Sequence, residues 1–130
     1  MIVDSSAAIA IILDEDGSEH LAKLLMLEKQ VGIGTPSLTE TGMVLSRRLG
    51  LDNDWETLIA EFRDTFRVAE IPFLATHWMV AVQAFDEFGK GRHPAKLNFG
   101  DCLSYAVARV ENRPLLFVGN DFGMTDIWKA

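Results

Sequence analysis

The chain has 130 residues, 48% of them hydrophobic and 24% charged, with a formal net charge of −7. That length suits one domain with a real hydrophobic core, and the composition is ordinary for a globular protein. The acidic balance argues against a nucleic-acid binder that works by broad backbone attraction, unless cations neutralise clustered acids; a basic partner also fits it.

Met1-Ile2-Val3 reads as a strand that Asp4 ends. No basic leader or A-x-A-like cleavage site accompanies it, so no secretory signal is expected. Ser5-Ser6 can cap a helix over Ala7–Leu13 that is apolar nearly all round. The uncharged stretch from Ser5 to Leu13 is too short to span a bilayer, and no membrane association is expected. After the polar break 14–17, His20, Leu21, Leu24 and Leu25 repeat at helical spacing to about Lys29. Val31–Thr35 is a second strand whose glycines imply close approach of another backbone.

Pro36 stops the ladder, and Ser37 with Glu40 three residues on has the capping-box pattern, opening a helix to Leu49 that Gly50 ends. Asp52 or Asp54 starts the next helix, which carries Trp55, Leu58, Ile59 and Phe62. Thr65–Ile71 is a third strand closed by Pro72, and a helix follows from Leu74 to Phe88 with Trp78, Val82 and Phe85 on one side. The segment 89–96 is a flexible basic loop containing Lys90, Arg92, His93 and Lys96. Asn98 then caps a helix with Asp101 in its first turn, where exposed N–H groups and the helix dipole favour a carboxylate. The lone cysteine, Cys102, reads as a small buried hydrophobe; it excludes an internal disulfide and fits a reducing cytoplasm. Leu115–Val118 is a buried strand, 119–123 a turn, and Thr125–Trp128 a short final strand.

Strands alternating with helices predict a three-layer α/β/α sandwich around a mostly parallel sheet, one domain over residues 1–130. Sites in such sheets form beyond the carboxyl ends of the strands. Asp4 and Asp121 follow strands directly, Glu40 lies near the start of the helix after the second strand, and Asp101 begins a crossover helix that runs back from the same edge. Four carboxylates brought together without a cation would repel and raise their own pKa values. An all-oxygen set selects a hard ion, Mg²⁺ or Mn²⁺, because Cys102, His20, His77 and His93 are too scattered for zinc. Carboxylate-held Mg²⁺ suits phosphodiester hydrolysis and supplies the local attraction for phosphate that the net charge denies.

Four segments in register, Met1–Ala7, Pro36–Glu40, Asn98–Cys102 and Leu116–Phe122, together with the ending Thr125–Ile127, resemble PIN-domain ribonucleases, and among them the VapC toxins of type II toxin–antitoxin modules. The resemblance implies a metal-dependent endoribonuclease that hydrolyses RNA with a metal-activated water held by the quartet Asp4, Glu40, Asp101 and Asp121. Asp4, Asp101 and Asp121 match the metal ligands, and Glu40 a residue that positions water or a second ion. Ser5, Ser6, Asn120 and Thr125 match supporting or substrate-contacting positions. Asp126 is a candidate fifth acid, with a surface role as its alternative. Lys90, Arg92, His93 and Lys96 are candidates for RNA contact. Family members often carry Asp-Asp where this chain has Asn120-Asp121, so Asn120 is assigned no metal role. The implied partners are a cognate VapB-like antitoxin, transfer or ribosomal RNA, and a second copy in a homodimer, all in the cytoplasm. A non-catalytic interaction module of the same fold is the alternative. A phosphoacceptor domain is disfavoured, because no aspartate ends a middle strand.

Overall fold

The computed structural model describes residues 1–50 and 54–130. Strands β1 (Ile2–Val3), β2 (Val31–Gly34), β3 (Val68–Ile71) and β4 (Leu115–Leu116) pair in the order β3-β2-β1-β4, every pair parallel. Helices α1 (Ser5–Ile12), α2 (Ser18–Leu27), α3 (Thr35–Leu49), α4 (Trp55–Phe66), α5 (Ala75–Phe88) and α6 (Phe99–Val110) cover the sheet. Among the described residues, no helix is long and apolar enough to cross a membrane.

Side chains alternate across a strand, and the three layers follow from that alternation. Ile2 and Leu115 enter one core with Ala84 and Phe88 of α5 and Tyr105 and Val107 of α6. Val3 and Leu116, one residue on, enter the other with Ala7 and Ala8 of α1, Leu25 of α2 and Phe62 of α4. β1 and β4 are two residues long, so burial rather than the ladder holds them. Ile2, Val3, Leu115 and Leu116 are each at most 2% exposed. Burying such a side chain is worth about 1.5–3 kcal/mol, against roughly 0.5–1.5 for a net hydrogen bond.

Several boundaries differ from the sequence reading, each for a local reason. The cap of α1 is Asp4, not Ser5-Ser6: its carboxylate accepts the Ser6 N–H at 3.0 Å. α3 starts at Thr35, because proline is tolerated in a first helical turn, where its missing N–H is not needed. Ser37 therefore lies inside the helix and caps nothing. The β2 glycines make room for side chains rather than backbone: a Cβ on Gly32 would meet Ile71 Cδ1 at 2.6 Å, and one on Gly34 would meet Val107 Cγ2 at 2.9 Å. α2 ends at Leu27, short of Lys29. α4 is capped by Asp54, while Asp52 lies outside the described residues. It absorbs Thr65 and Phe66, whose ring packs on Phe62, so β3 begins only at Val68.

The 89–96 loop is tied down rather than flexible. Lys90 N–H donates to Leu97 O and Leu97 N–H to Phe88 O, both at 3.0 Å, and Ala95 and Leu97 are buried. β4 stops at Leu116, and the Val118 N–H turns to the Ser6 hydroxyl instead of the sheet. The predicted final strand reduces to one parallel bridge, Leu115 to Lys129, after a 3-10 turn at Phe122–Met124.

Candidate metal centre

The carboxyl edge of the sheet gathers the acids named above. Asp4 leaves β1 and is 5% exposed, yet each of its oxygens is satisfied. Oδ2 accepts the Ser6 N–H at 3.0 Å and the Ser6 hydroxyl at 2.5 Å, while Oδ1 accepts the Ser104 hydroxyl at 2.5 Å. Ser104 has a single proton, which goes to Asp4, so its 2.9 Å contact with Ser37 Oγ is a bond that Ser37 donates. Ser6 Oγ in turn accepts the Val118 N–H at 3.1 Å. A relay of hydroxyls thus locks the Asp4 carboxylate to α3, α6 and the end of β4. A buried carboxylate needs such donors, since an unpaired one would be costly.

Glu40 lies on α3, and its Oε2 accepts the Ser5 hydroxyl at 2.8 Å. Freed from the capping box, its side chain reaches α6: a Cβ on Gly100 would lie 3.0 Å from Glu40 Oε2. The capping box that does exist belongs to α6. There Asn98 N–H donates to Asp101 Oδ2 at 2.8 Å, and Asp101 N–H donates to Asn98 Oδ1 at 2.9 Å. Asp101 is nevertheless an uneasy anion. Burial pushes its pKa up from 3.8 to about 6 against the Asn98 N–H, and the charges of Asp4, Asp121 and Glu40 add to the rise. Asp121 is exposed beyond β4, at the start of the 3-10 turn.

Among the described residues, no three His, Cys, Asp or Glu side chains converge closely enough to hold one ion. The charges of Asp4, Glu40 and Asp121 reach Asp101, but the carboxylates do not close into one ligand set. The donor set itself, carboxylate and hydroxyl oxygens around a half-buried acid of raised pKa, fits a hard divalent cation and offers nothing to a soft one.

Not every predicted residue joins this group. Asn120 is exposed, and its carbonyl accepts the Gly123 N–H. The Thr125 hydroxyl donates to Phe122 O at 2.8 Å and shapes the turn. Asp126 faces α6, accepting the Tyr105 hydroxyl at 2.6 Å and pairing with Arg109 at 3.2 Å. Burial first, and then that bond to Asp126, push the Tyr105 pKa up. In the loop, Lys90 and Lys96 are exposed, while Arg92 pairs with Asp86 at 3.3 Å and lies over the Phe85 ring. The His93 ring accepts the Ala95 N–H and packs edge-on to Phe88, which is structural work.

Sequence reasoning missed Ser104 and Gly100 and misread Ser37. The available signal was that Ser104 stands three residues after Asp101, one turn along the same face. Beside the acids runs an open groove of about 1310 Å³ between α3, α4 and α6, with Leu38, Met43, Trp55, Ile59, Phe99 and Glu40 among its lining. It is larger than the roughly 300–1,000 Å³ of a small-molecule pocket.

Comparison with known proteins agrees with this architecture. The PIN domain family matches residues 1–127. Ribonuclease VapC of Mycolicibacterium smegmatis is 38% identical over 127 residues, covering 98% of this chain and 97% of its own. Ribonuclease VapC36 of Mycobacterium tuberculosis is 38% identical over 128 residues, covering 98% and 91%. Among solved structures, VapC20 of M. tuberculosis, described as a Sarcin-Ricin loop cleaving toxin, shares the fold with a TM-score of 0.73 at 22% identity, covering 99% of this chain and 97% of its own. VapBC2 of Rickettsia felis, bound to a promoter DNA fragment, gives 0.76 at 16% identity, covering 99% and 96%. A match of this extent places the chain in the PIN-domain family, among the VapC ribonucleases.

Proposed function

We propose that this protein is the endoribonuclease toxin of a type II toxin–antitoxin module, and that it cuts RNA at the carboxyl edge of its sheet with Asp4, Glu40, Asp101 and Asp121. The observation that carries the reading is the placement of these acids: Glu40 Oε2 lies 3.0 Å from the Cβ direction of Gly100, the residue before Asp101, Ser104 of the same helix bonds Asp4, and the charges of Asp4, Asp121 and Glu40 all reach the Asp101 carboxyl. A divalent cation is the species that would relieve that repulsion. Asp4 and Asp101 would hold it, with Asp121 joining from the exposed turn. Bound there, Mg²⁺, or Mn²⁺ in its place, supplies Lewis-acid chemistry at the phosphoryl oxygens and water of lowered pKa. Glu40, held by the Ser5 hydroxyl, would position the attacking water or a second ion. Ser6 and Ser104 keep the Asp4 carboxylate turned toward the site.

The named relatives are ribonucleases, and one structural neighbour is a toxin–antitoxin complex from Klebsiella pneumoniae. A VapB-like antitoxin and an RNA of the transfer or ribosomal class are therefore the partners of this reading. A homodimer is its assembly, for which the exposed stripe Leu74, Trp78, Val82 and Phe85 on α5 offers an apolar face.

The test is cleavage of total cellular RNA by purified, antitoxin-free protein, with Mg²⁺ or Mn²⁺ against EDTA, beside Asp101→Asn. Discrete fragments that need the metal and vanish in the variant are expected. Folded protein that binds Mn²⁺ and cuts nothing would favour an interaction module instead.

A further inference from the structure

Phe99 is the first residue of α6 and is 80% exposed, the largest exposure of any aromatic side chain among the described residues. It belongs to neither core. Leaving such a ring in water forgoes roughly 1.5–3 kcal/mol of burial, so the fold does not explain it. Its position is more telling. The next residue, Gly100, has its Cβ direction 3.0 Å from Glu40 Oε2, and the one after is Asp101. Phe99 and Glu40 line the same groove, which continues over Leu103, one turn further along α6.

We propose that Phe99 is a substrate-positioning residue: its ring stacks on an unpaired base flanking the scissile phosphate and so selects single-stranded RNA. The inference rests on the nuclease reading above. A phosphate drawn to the carboxylates by a cation leaves the bases on either side of it within reach of a ring only one or two residues away. A paired base has both faces covered and cannot offer one, so the substrate class is a loop or bulge rather than a duplex. Stacking carries no hydrogen-bond readout, so Phe99 fixes where the strand lies and leaves the choice of base to other groups. The groove beyond is mostly apolar, with Leu38, Leu103, Trp55 and Ile59 among its lining, which suits the face of a base.

The test measures binding and cleavage separately. The probe is a fluorescein-labelled RNA hairpin with a mixed-sequence loop, titrated by anisotropy in Ca²⁺, a hard cation that suits carboxylate ligands, with the full chain and its Phe99→Ala, Phe99→Leu and Phe99→Tyr variants. The side chain is exposed, so none of these should unfold the protein. Alanine and leucine should weaken binding about 5- to 150-fold, the equivalent of the roughly 1–3 kcal/mol of one base–aromatic stack, and tyrosine should restore it. With Mn²⁺, Phe99→Ala and Phe99→Leu should raise KM and leave kcat nearly unchanged, while Phe99→Tyr should keep the parent's KM. An abasic nucleotide at one loop position should cause the same loss in the parent protein and no further loss in Phe99→Ala. Leucine binding as tightly as phenylalanine, or abasic and alanine losses that multiply at every position, would overturn the proposal. If either variant instead escapes inhibition by the antitoxin while binding RNA normally, the ring is a protein-docking surface. Binding that depends on Phe99 without any cleavage by the parent protein would sink the nuclease reading alone.

Discussion

Removing the charge of Asp101 should stabilise the metal-free protein at neutral pH and do nothing in acid. The carboxyl titrates at about 6 in the fold against 3.8 for the free group, because burial and then three neighbouring acids disfavour its charge. The folded state therefore binds the proton more tightly than the unfolded state. The stabilising effect of protonation is complete below about pH 3.8 and is lost as the pH rises through about 6. The shift of roughly two units corresponds to about 3 kcal/mol at 1.36 kcal/mol per unit. Asp101 is only half-buried, so solvent screening reduces this to about 1–2 kcal/mol. Asn keeps an oxygen to accept the Asn98 N–H, so Asp101→Asn removes the charge without removing the cap. Urea unfolding in EDTA should find the variant about 1–2 kcal/mol more stable than the parent at about pH 7.5, with the difference shrinking toward zero near pH 4. Adding Mn²⁺ at about pH 7.5 should reverse the order, because the native parent, with the Asp101 carboxylate, binds the ion more tightly than the variant does. A variant no more stable than the parent at neutral pH, or an advantage that persists in acid, would refute the electrostatic account of the site.

Three further outcomes follow from particular contacts. Ser104→Ala leaves Asp4 Oδ1 without a donor and Ser37 without an acceptor; it should cost about 2–3 kcal/mol in urea unfolding and weaken Mn²⁺ binding about 10- to 100-fold by titration. Gly34→Ala sets a methyl 2.9 Å from the stiff, buried Val107 side chain. It should destabilise by about 1–3 kcal/mol, and Val107→Ala should recover part of that in the double variant. Asp126→Ala removes the Tyr105 bond and an exposed ion pair, so it should cost about 0.5–1.5 kcal/mol in thermal unfolding. RNA cleavage and Mn²⁺ affinity should stay as they were; a loss of either would return Asp126 to the site.

The parts legible in the sequence were those fixed by local rules. The reciprocal bonds of Asn98 and Asp101 follow from two residue types at one spacing, and the alternation of strands and helices predicted the parallel sheet. What was misread turned on single residues with two lawful uses. Pro36 can end a strand or sit in the first turn of a helix, and the second use moved Ser37 from a cap to a buried partner of Ser104. The β2 glycines signalled closeness correctly, but pattern alone cannot say that Ile71 and Val107 side chains fill the space. The basic loop looked free because its four basic residues are broken up by two glycines and a proline, whereas the buried Ala95 and Leu97 pin it. Ser104 carried only the weak signal of standing one turn after Asp101, because its partner Asp4 lies a hundred residues away and no periodicity reports a bond of that range.

The two aspartates at the centre of the site are held in opposite ways, and this bears on how a cation would be bound. Asp4 accepts two hydroxyls and a backbone N–H, so its rotamer is fixed before any ion arrives. Fixing a ligand in advance reduces the entropy lost on binding and places the first coordination bond with little reorganisation. Asp101 has one donor and three acidic neighbours, so the unfavourable charge of the group is concentrated there. Relief of that repulsion is interaction energy that only the bound state gains. In the proposed site the hydroxyls would supply the geometry and the crowded carboxyl the driving force, at an edge where no three acids among the described residues converge. Loss of Ser104 and loss of the Asp101 charge should therefore both weaken metal binding but move metal-free stability in opposite directions, a sign difference that a site built only by mutual carboxylate proximity would not produce.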